Sequence, residues 1–269
     1  MSLLRHGLAA VLLAAAAQVA AAPTPATVRV DELTWTELRD AIRAGKTTVI
    51  VPVGGTEQSG PHIALGKHNV RAGALAARIA ASLGNALVAP VIAYVPEGAI
   101  DPPTGHMRFA GTISIPEGAF EATLEGAARS FRRAGFRDIV LIGDHGGYQA
   151  SLAKVAAKLD REWAASDVRV HAIGEYYRAA ERDFAQALRQ QGFSDAEIGT
   201  HAGAADTSLS LAVDEQLVRS PLLHDGGALG PANGVHGDPR RASAAAGRVG
   251  IDLIVARTRD AIQREVARR

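Results

Sequence analysis

The stretch TTVIVPVGGTEQSGPHIALGKHNV, residues 47–70, joins an apolar run to polar side chains that a packed core does not need. Residues 47–55 are β-branched and almost continuously apolar, which is typical of a parallel strand buried on both faces. Glu57, His62 and His68 follow the glycine-rich turn at the end of this run. Because ligands of α/β proteins bind at the carboxyl ends of strands, the turn is a candidate binding site.

Outside this stretch, apolar runs alternate with segments of helical periodicity. Such alternation is typical of α/β folds, in which helices cover both faces of a parallel sheet. We therefore expect a single three-layer α/β/α domain with a mostly parallel sheet. The predicted strands lie in 47–55, 86–95, 137–147 and 168–177, and the predicted helices in 30–46, 69–85, 116–135, 149–165 and 240–267.

Composition excludes several classes of protein. The chain has 269 residues, of which 47% are hydrophobic and 4% aromatic, so one sizeable core built from small aliphatic side chains is expected. The formal net charge is +1 and charges of both signs are interspersed, which argues against a nucleic-acid partner. The chain has no cysteine, which excludes disulfides and thiolate metal ligands.

The N-terminus has the pattern of a secretory signal peptide. Arg5 and His6 form a short positive region, an apolar run follows, and small residues end the segment. We expect cleavage after residues 1–21, a mature domain of residues 22–269, and a periplasmic or secreted location. An uncleaved anchor is the alternative, although the apolar run is short for a membrane span. No second membrane segment is expected, and so no stable membrane anchor.

The polar residues of the opening stretch follow neither a helical nor a strand period. Carboxylate and imidazole together suit zinc, manganese or iron, so Glu57, His62 and His68 are candidates for a metal site. A surface loop is the alternative. Ser59 lacks the surrounding G-x-S-x-G of a nucleophile elbow, and the turn lacks the Lys-Ser/Thr ending of a phosphate-binding loop.

A second polar group lies in GDHGGYQ, residues 143–149, at the end of the third predicted strand. The flanking glycines allow close approach of the backbone to a bound group, which makes Asp144 and His145 candidate site residues. A structural role is the alternative, with Asp144 capping a helix that begins near Tyr148.

A third group lies in HAGAADTSLSLA, residues 201–212, where His201 and Asp206 stand at a predicted helix start. A carboxylate in this position is also favourable through the helix dipole alone. His236, in the segment 234–243, is explained by turn chemistry.

In combination these segments resemble the creatininase family of creatinine amidohydrolases. The family's first motif, roughly P-x-G-x-x-E-Q-H-G-P-H-L-P-L-x-x-D, appears here as PVGGTEQSGPHIALGKH. The motifs F-P-G-T, N-G-H-G-G-N, H-A-G-x-x-E-T-S and G-x-x-G-D-P follow in order as FAGT, GDHGGY, HAGAADTS and GVHGDP. The resemblance spans residues 28–265 and implies a compact α/β domain, often oligomeric, that hydrolyses amide-type bonds with divalent metals.

The resemblance assigns roles to positions of this chain. Glu57 matches a metal-binding carboxylate and His145 a metal-binding histidine. Ser59 stands where the family has a metal-binding histidine, His68 where it has an aspartate that bridges two metals, and Gly147 where creatinine-hydrolysing members use glutamate. A neutral imidazole cannot bridge two ions, so we predict one divalent ion per chain, zinc first, with manganese or iron as alternatives.

The resulting prediction is an exported hydrolase of an amide, cyclic amide or lactone that uses metal-activated water. The predicted ligands are Glu57, His68 and His145, with Asp206 as a fourth ligand or the base. His201 is the predicted proton shuttle, because imidazole titrates near neutral pH.

Four further residues are expected to orient the ligands or face a small-molecule substrate: His62, Asp144, His106 and Ser59. His106 would reach the site from a Pro-rich loop that resembles a lid over the substrate. A symmetric homo-oligomer is expected. The alternatives are a non-catalytic periplasmic binding protein on the same fold and a metal-dependent isomerase or lyase.

Overall fold

A computed structural model describes residues 27–224 and 229–268, which form one α/β domain. Within these residues the sheet has four parallel strands in the order β2-β1-β3-β4. The predicted signal peptide, residues 1–21, lies outside the described residues. The strands are β1 (Thr48–Val53), β2 (Ala86–Val88), β3 (Asp138–Gly143) and β4 (Arg169–Ala172).

Helices connect the strands and close the domain at its C-terminal end. In the described ranges, no helix has the length and apolar character that crossing a bilayer requires. The α-helices are α1 (Trp35–Arg43), α2 (Lys67–Leu83), α3 (Glu117–Ala134), α4 (Gln149–Glu162), α5 (Glu175–Arg178), α6 (Phe184–Gln190), α7 (Asp195–Ile198), α8 (Ala204–Val213) and α9 (Ala244–Ala267), and a π-helical turn, Ala179–Asp183, joins α5 to α6.

Helices cover both faces of the sheet. Successive side chains of a strand point to opposite faces, so Ile50 and Val140 pack against α2, α6 and α9. Val51 and Leu141, on the other face, pack against α1, α3 and α4. All six residues of β1 and of β3 are buried, which explains their continuous apolar runs. The expected three-layer α/β/α domain is confirmed.

The second strand is shorter than predicted. Only Ala86–Val88 pairs along β1, and the following segment contributes one isolated bridge between Ile92 and Val53. Pro90 lies between the two pairings, and its missing N–H interrupts a ladder. The predicted strand 86–95 is therefore wrong in its second half.

The first and last predicted helices begin later than expected, because capping residues set their starts. Thr34 accepts a hydrogen bond from the Glu37 N–H and the Glu37 carboxylate accepts from the Thr34 N–H, so α1 begins at Trp35. Ser243 accepts from the Ala246 N–H and places the start of α9 at Ala244.

Candidate metal centre

The site lies where the two central strands end. Val53 of β1 is paired with Gly143 of β3, so the loops after both strands emerge at the same edge of the sheet. The Tyr148 hydroxyl holds these loops together, because it accepts from the N–H groups of Asp144 and His145 at 3.1 and 3.0 Å. It also lies 2.6 Å from the Gly54 carbonyl oxygen, to which it donates.

Glu57 lies at the centre of a cluster of imidazoles and is completely buried. Its Oε2 lies 3.0 Å from His68 Nε2 and 4.0 Å from His201 Nδ1. Its Oε1 lies 3.2 Å from His106 Nε2 and 3.6 Å from His145 Nε2. Segments far apart in sequence thus converge on one carboxylate, as the strand-end argument predicted for Glu57 and His145.

Glu97 also lies in this cluster, and the sequence analysis missed it. The side chain is 7% exposed, and neither carboxyl oxygen has a hydrogen-bond partner among the described residues. Its Oε2 lies 3.5 Å from His145 Nδ1. A Cβ at Gly55 would lie 2.5 Å from Glu97 Oε1, so the glycine leaves room for this carboxyl group. Glu97 stands in an aperiodic loop, and no motif marks it.

The two carboxyl groups have opposite pKa shifts. Burial raises the pKa of Glu97 to about 8, and the nearby charge of Glu57 adds to the shift. Burial alone would also raise the pKa of Glu57, but the hydrogen bond with His68 and the charge of Lys67 hold this pKa well below its usual range. Without a cation between them, Glu57 is charged and Glu97 neutral near pH 7.

Gln58 orients two of the imidazoles. Its Oε1 accepts from the Gly60 N–H at 3.0 Å, which identifies its Nε2 as the donor to His106 Nδ1 at 2.6 Å. His106 therefore directs Nε2–H at Glu57. His201 Nε2 donates to the backbone oxygen of Gln58 at 2.9 Å, so its Nδ1 presents a lone pair to Glu57. Burial and the charge of Lys67 lower the pKa of His201 to about 4, so this ring is neutral at pH 7.

His68 contacts a carboxylate with each ring nitrogen, since its Nδ1 lies 2.6 Å from Asp144 Oδ2 and its Nε2 faces Glu57. Burial and the charge of Lys67 lower its pKa, but the hydrogen bonds to Asp144 and Glu57 outweigh them and the net pKa is raised. In the absence of an ion, both ring nitrogens of His68 are thus engaged by carboxylates.

Asp144 belongs to an ion-pair network and does not cap a helix. It accepts from Arg71 at 2.8 Å and from the Tyr176 hydroxyl at 2.7 Å, in addition to its contact with His68. The Gly147 N–H, which the capping hypothesis would assign to Asp144, is bound by His145 Nδ1 at 3.3 Å. Asp144 thus contacts His68, and the alternative that it caps the following helix is wrong.

Asp206 is occupied by other partners. Its oxygens accept from the Lys67 ammonium, from Arg71 Nη1 at 2.8 Å and from the Ala202 N–H at 3.1 Å. Burial opposes ionisation, but Lys67 and Arg71 hold the pKa of Asp206 well below its usual range. The oxygens of Asp206 are thus engaged by the protein's own donors.

Ser59 and His62 lie beside the cluster. His62 Nε2 lies 3.1 Å from the Thr207 hydroxyl, which contacts the carbonyl of Ala202 next to His201. His62 thus supports the His201 segment. Ser59 is fully buried, and its hydroxyl has no partner in the described part of the chain.

Two groups of the described residues place one potential ligand atom each within 4.8 Å of the others: Glu57, His106 and His201, and Glu57, Glu97 and His145. Neither group contains His68 or Asp206, so their predicted role as ligands stays a prediction. The second group differs by including Glu97, whose carboxyl oxygens have no hydrogen-bond partner among the described residues. His145 Nε2 lies 3.6 Å from Glu57 Oε1, and His145 Nδ1, which also accepts from the Gly147 N–H, lies 3.5 Å from Glu97 Oε2.

A cavity of ≈ 280 Å³ opens beside this cluster. Lys67, His145 and His201 line it on the side of the cluster, and Tyr177 and Glu181 line it beyond. Its volume suits a small substrate, or one end of a larger one.

Comparison with known proteins agrees with this architecture. Residues 31–262 match the creatininase family, described as creatinine amidohydrolase. The chain is 30% identical over 196 residues to creatinine amidohydrolase of Pseudomonas putida, covering 71% of this chain and 74% of the relative. It is 30% identical over 226 residues to the mycofactocin precursor peptide peptidase of Mycobacterium tuberculosis, covering 75% and 78% of the two chains.

Solved structures show the same fold. A crystal structure of creatinine amidohydrolase aligns with a TM-score of 0.74 and 27% identity over 90% of this chain and 98% of its own. A creatininase variant described as Zn-Zn type aligns with a TM-score of 0.73 and 27% identity over 89% and 98%. A further structure, described as the Mn form, aligns with a TM-score of 0.72 and 27% identity over 89% and 99%. The strand-end cluster, the fold and the family match together show that this chain belongs to the creatininase family of metal-dependent hydrolases acting on C–N bonds.

Proposed function

We propose that this chain hydrolyses the C–N bond of an amide or cyclic amide, with one divalent ion held by Glu57, Glu97 and His145. The observation that carries the proposal is a set of buried carboxyl oxygens around His145: among the described residues neither oxygen of Glu97 has a hydrogen-bond partner, and Glu57 Oε1 is faced only by imidazole nitrogens. Leaving such groups unpaired is costly, and a divalent ion would satisfy them. Three protein ligands and one open position are typical of catalytic zinc.

A divalent ion held there would polarise the substrate carbonyl and lower the pKa of a water molecule. His201 is placed to accept the proton of that water, because its neutral ring presents Nδ1 to the cluster. The same nitrogen can return the proton to the leaving amine. His106 directs Nε2–H at Glu57 and keeps that carboxylate oriented.

We propose one ion per chain, zinc before manganese or iron. His68 and Lys67 already place positive charge on the Glu57 and Asp206 side of the cluster. A second divalent ion there would be repelled by these cations. Both oxygens of Glu97, in contrast, have no hydrogen-bond partner among the described residues.

Relatives that act on creatinine and on a precursor peptide point to a substrate with an amide-type bond, and a lactone is the alternative. Metal removal tests the activity. Metal-free protein prepared with a chelator should lose hydrolysis of a panel of creatinine, short peptides, simple amides and lactones, and added zinc should restore it. Equal turnover with and without metal would contradict the proposal. Metal binding without turnover of any panel member would favour the binding-protein alternative.

We also propose that the chain is exported. Residues 1–21 have the charged start, apolar run and small-residue end of a signal peptide. Expression in a bacterium should give a periplasmic protein about 20 residues shorter than the full chain, since signal peptides are typically 15–30 residues long. Intact-mass analysis that finds the full chain in the cytoplasm would refute this.

A homo-oligomer is the last part of the proposal. Several large apolar side chains are exposed in the single chain, among them Trp35, Tyr94 and Ile100. Light scattering should therefore report a mass that is a multiple of the single chain's. A mass at or slightly below 28.0 kDa across concentrations would overturn the expectation.

A further inference from the structure

Lys67 is a buried lysine in an unfavourable position. It is 1% exposed and is the first residue of α2. The N-terminus of a helix carries partial positive charge, so a cation there is disfavoured, and burial of an ammonium adds a desolvation cost. A residue held against both costs needs a compensating role.

The ion pair of Lys67 leaves much of its donor capacity unused. An ammonium has three N–H donors, and the described residues supply one acceptor, Asp206 Oδ2. Arg71, which contacts the same aspartate, differs in this respect. Nε and Nη2 of Arg71 face Asp144, and Nη1 faces Asp206. All three nitrogens therefore donate to acceptors within the protein.

Lys67 also lines the cavity beside the cluster, together with His145 and His201. A preorganised cation with N–H donors available at the wall of a cavity can stabilise a negative charge that develops on a bound substrate.

We infer that the Lys67 ammonium donates a hydrogen bond to the substrate carbonyl oxygen and stabilises the negative charge that forms on it. This inference rests on the proposed amide hydrolysis. The water oxygen bonds to the carbonyl carbon, and the C=O π electrons move to the oxygen that Lys67 binds. His201 takes the water proton. When that electron pair returns, the C–N bond breaks and the proton leaves with the amine.

Lys67→Met tests the inference, because it removes the ammonium and keeps a long side chain. We expect kcat to fall by roughly 10²- to 10³-fold, the usual loss for one oxyanion donor. The ion held by Glu57, Glu97 and His145 should stay bound, since Lys67 is not one of its ligands. Lys154→Met is the matched control, because Lys154 pairs with Glu121 on the surface far from the cluster, and it should leave kcat unchanged. An unchanged kcat in Lys67→Met would overturn the inference.

Removing Lys67 alone leaves Arg71 as the remaining cation paired with the Asp206 carboxylate, so the stability of this variant needs a control. The double variant Lys67→Met/Asp206→Asn removes both charges and should show the same loss of kcat with one bound ion. If this variant recovers kcat to the wild-type level, Lys67 serves only to neutralise Asp206 and the inference fails.

The absence of cysteine from the chain allows a chemical rescue at this position alone. Lys67→Cys, modified with aminoethyl methanethiosulfonate, regains an ammonium on a chain of similar length. Modification with propyl methanethiosulfonate gives a neutral side chain of matched size. Recovery of kcat with the aminoethyl group only supports a donor role. Equal recovery with both groups, or recovery with neither, contradicts it.

Inorganic phosphate provides a readout that does not need the substrate. Calorimetry on zinc-loaded protein should show phosphate binding weakened about 10- to 100-fold by Lys67→Met, as expected for one lost hydrogen bond from a charged donor. Unchanged phosphate affinity would contradict the inference. If wild-type protein turns over no panel member, the proposed function fails while this titration still tests Lys67.

Discussion

Replacing Glu57 by glutamine is expected to abolish tight metal binding and hydrolysis together. The amide keeps the shape of the side chain but loses the charge that His68, His106, His145 and His201 all face. It removes a ligand directly, so the affinity loss should exceed the ~10- to 100-fold that follows loss of a group that only orients a ligand. Metal content after dialysis and kcat/KM should both fall.

Ser59→Ala is the control for this substitution. Ser59 is as buried as Glu57, but its hydroxyl has no partner in the described residues, and the proposed ligand set does not use it. We expect its metal content to remain near that of the wild type. Retained metal in Glu57→Gln, or lost metal in Ser59→Ala, would contradict the proposed ligand set.

Replacing Glu97 by glutamine is expected to change metal binding and the stability of the metal-free protein in opposite directions. The folded-state pKa of Glu97 is about 8, above its ordinary value of 4.5, because burial disfavours the charged form. Between these two pH values the folded state binds a proton that the unfolded state has released. The free energy of unfolding of the metal-free protein therefore falls as pH rises through this window.

Glutamine does not ionise, so the metal-free variant should not show this part of the pH dependence and should be more stable than the wild type near pH 8. It should also lose most of its metal affinity, because a carboxylate ligand is gone. Urea unfolding at pH 5 and pH 8, with and without zinc, measures both effects. Zinc should stabilise the wild type strongly and the variant weakly.

Glu121→Gln is a suitable comparison for that experiment, because Glu121 pairs with Lys154 at the surface. It should leave both the pH dependence and the zinc effect close to those of the wild type. Parallel stability curves for Glu97→Gln and the wild type, with equal stabilisation by zinc, would show that Glu97 does not face the ion.

Local sequence patterns were sufficient to predict which strand ends carry Glu57 and His145. The apolar run of β1 and the glycine turn after it placed Glu57 at a strand end, and the third apolar run placed His145 beside it. Both side chains lie in the cluster. His106 was expected to reach the site from its Pro-rich loop, and its Nε2 lies 3.2 Å from Glu57.

The exact ligand set depends on pairings that no local pattern encodes. Lys67 and Arg71 hold the oxygens of Asp206. No local pattern shows that Asp144 contacts Nδ1 of His68, and the role of His68 as a ligand stays a prediction. Glu97 gave no signal, because its role depends on packing against Gly55 across the loop after β1.

The exported location and the oligomeric state remain predictions, because residues 1–21 lie outside the described residues and the structure contains one chain. They are independent of the chemistry of the site. The catalytic proposal would stand if either of them failed.

The number of tightly bound ions tests the account most directly. Elemental analysis of purified protein, after equilibration with zinc and removal of loosely held metal, should find about one ion per chain, held by three protein ligands. Glu97→Gln and Glu57→Gln should each reduce that number towards zero. Two tightly held ions in the wild type would show that Lys67 and His68 do not exclude a second metal, and no ion under metal-replete conditions would contradict the metal centre itself.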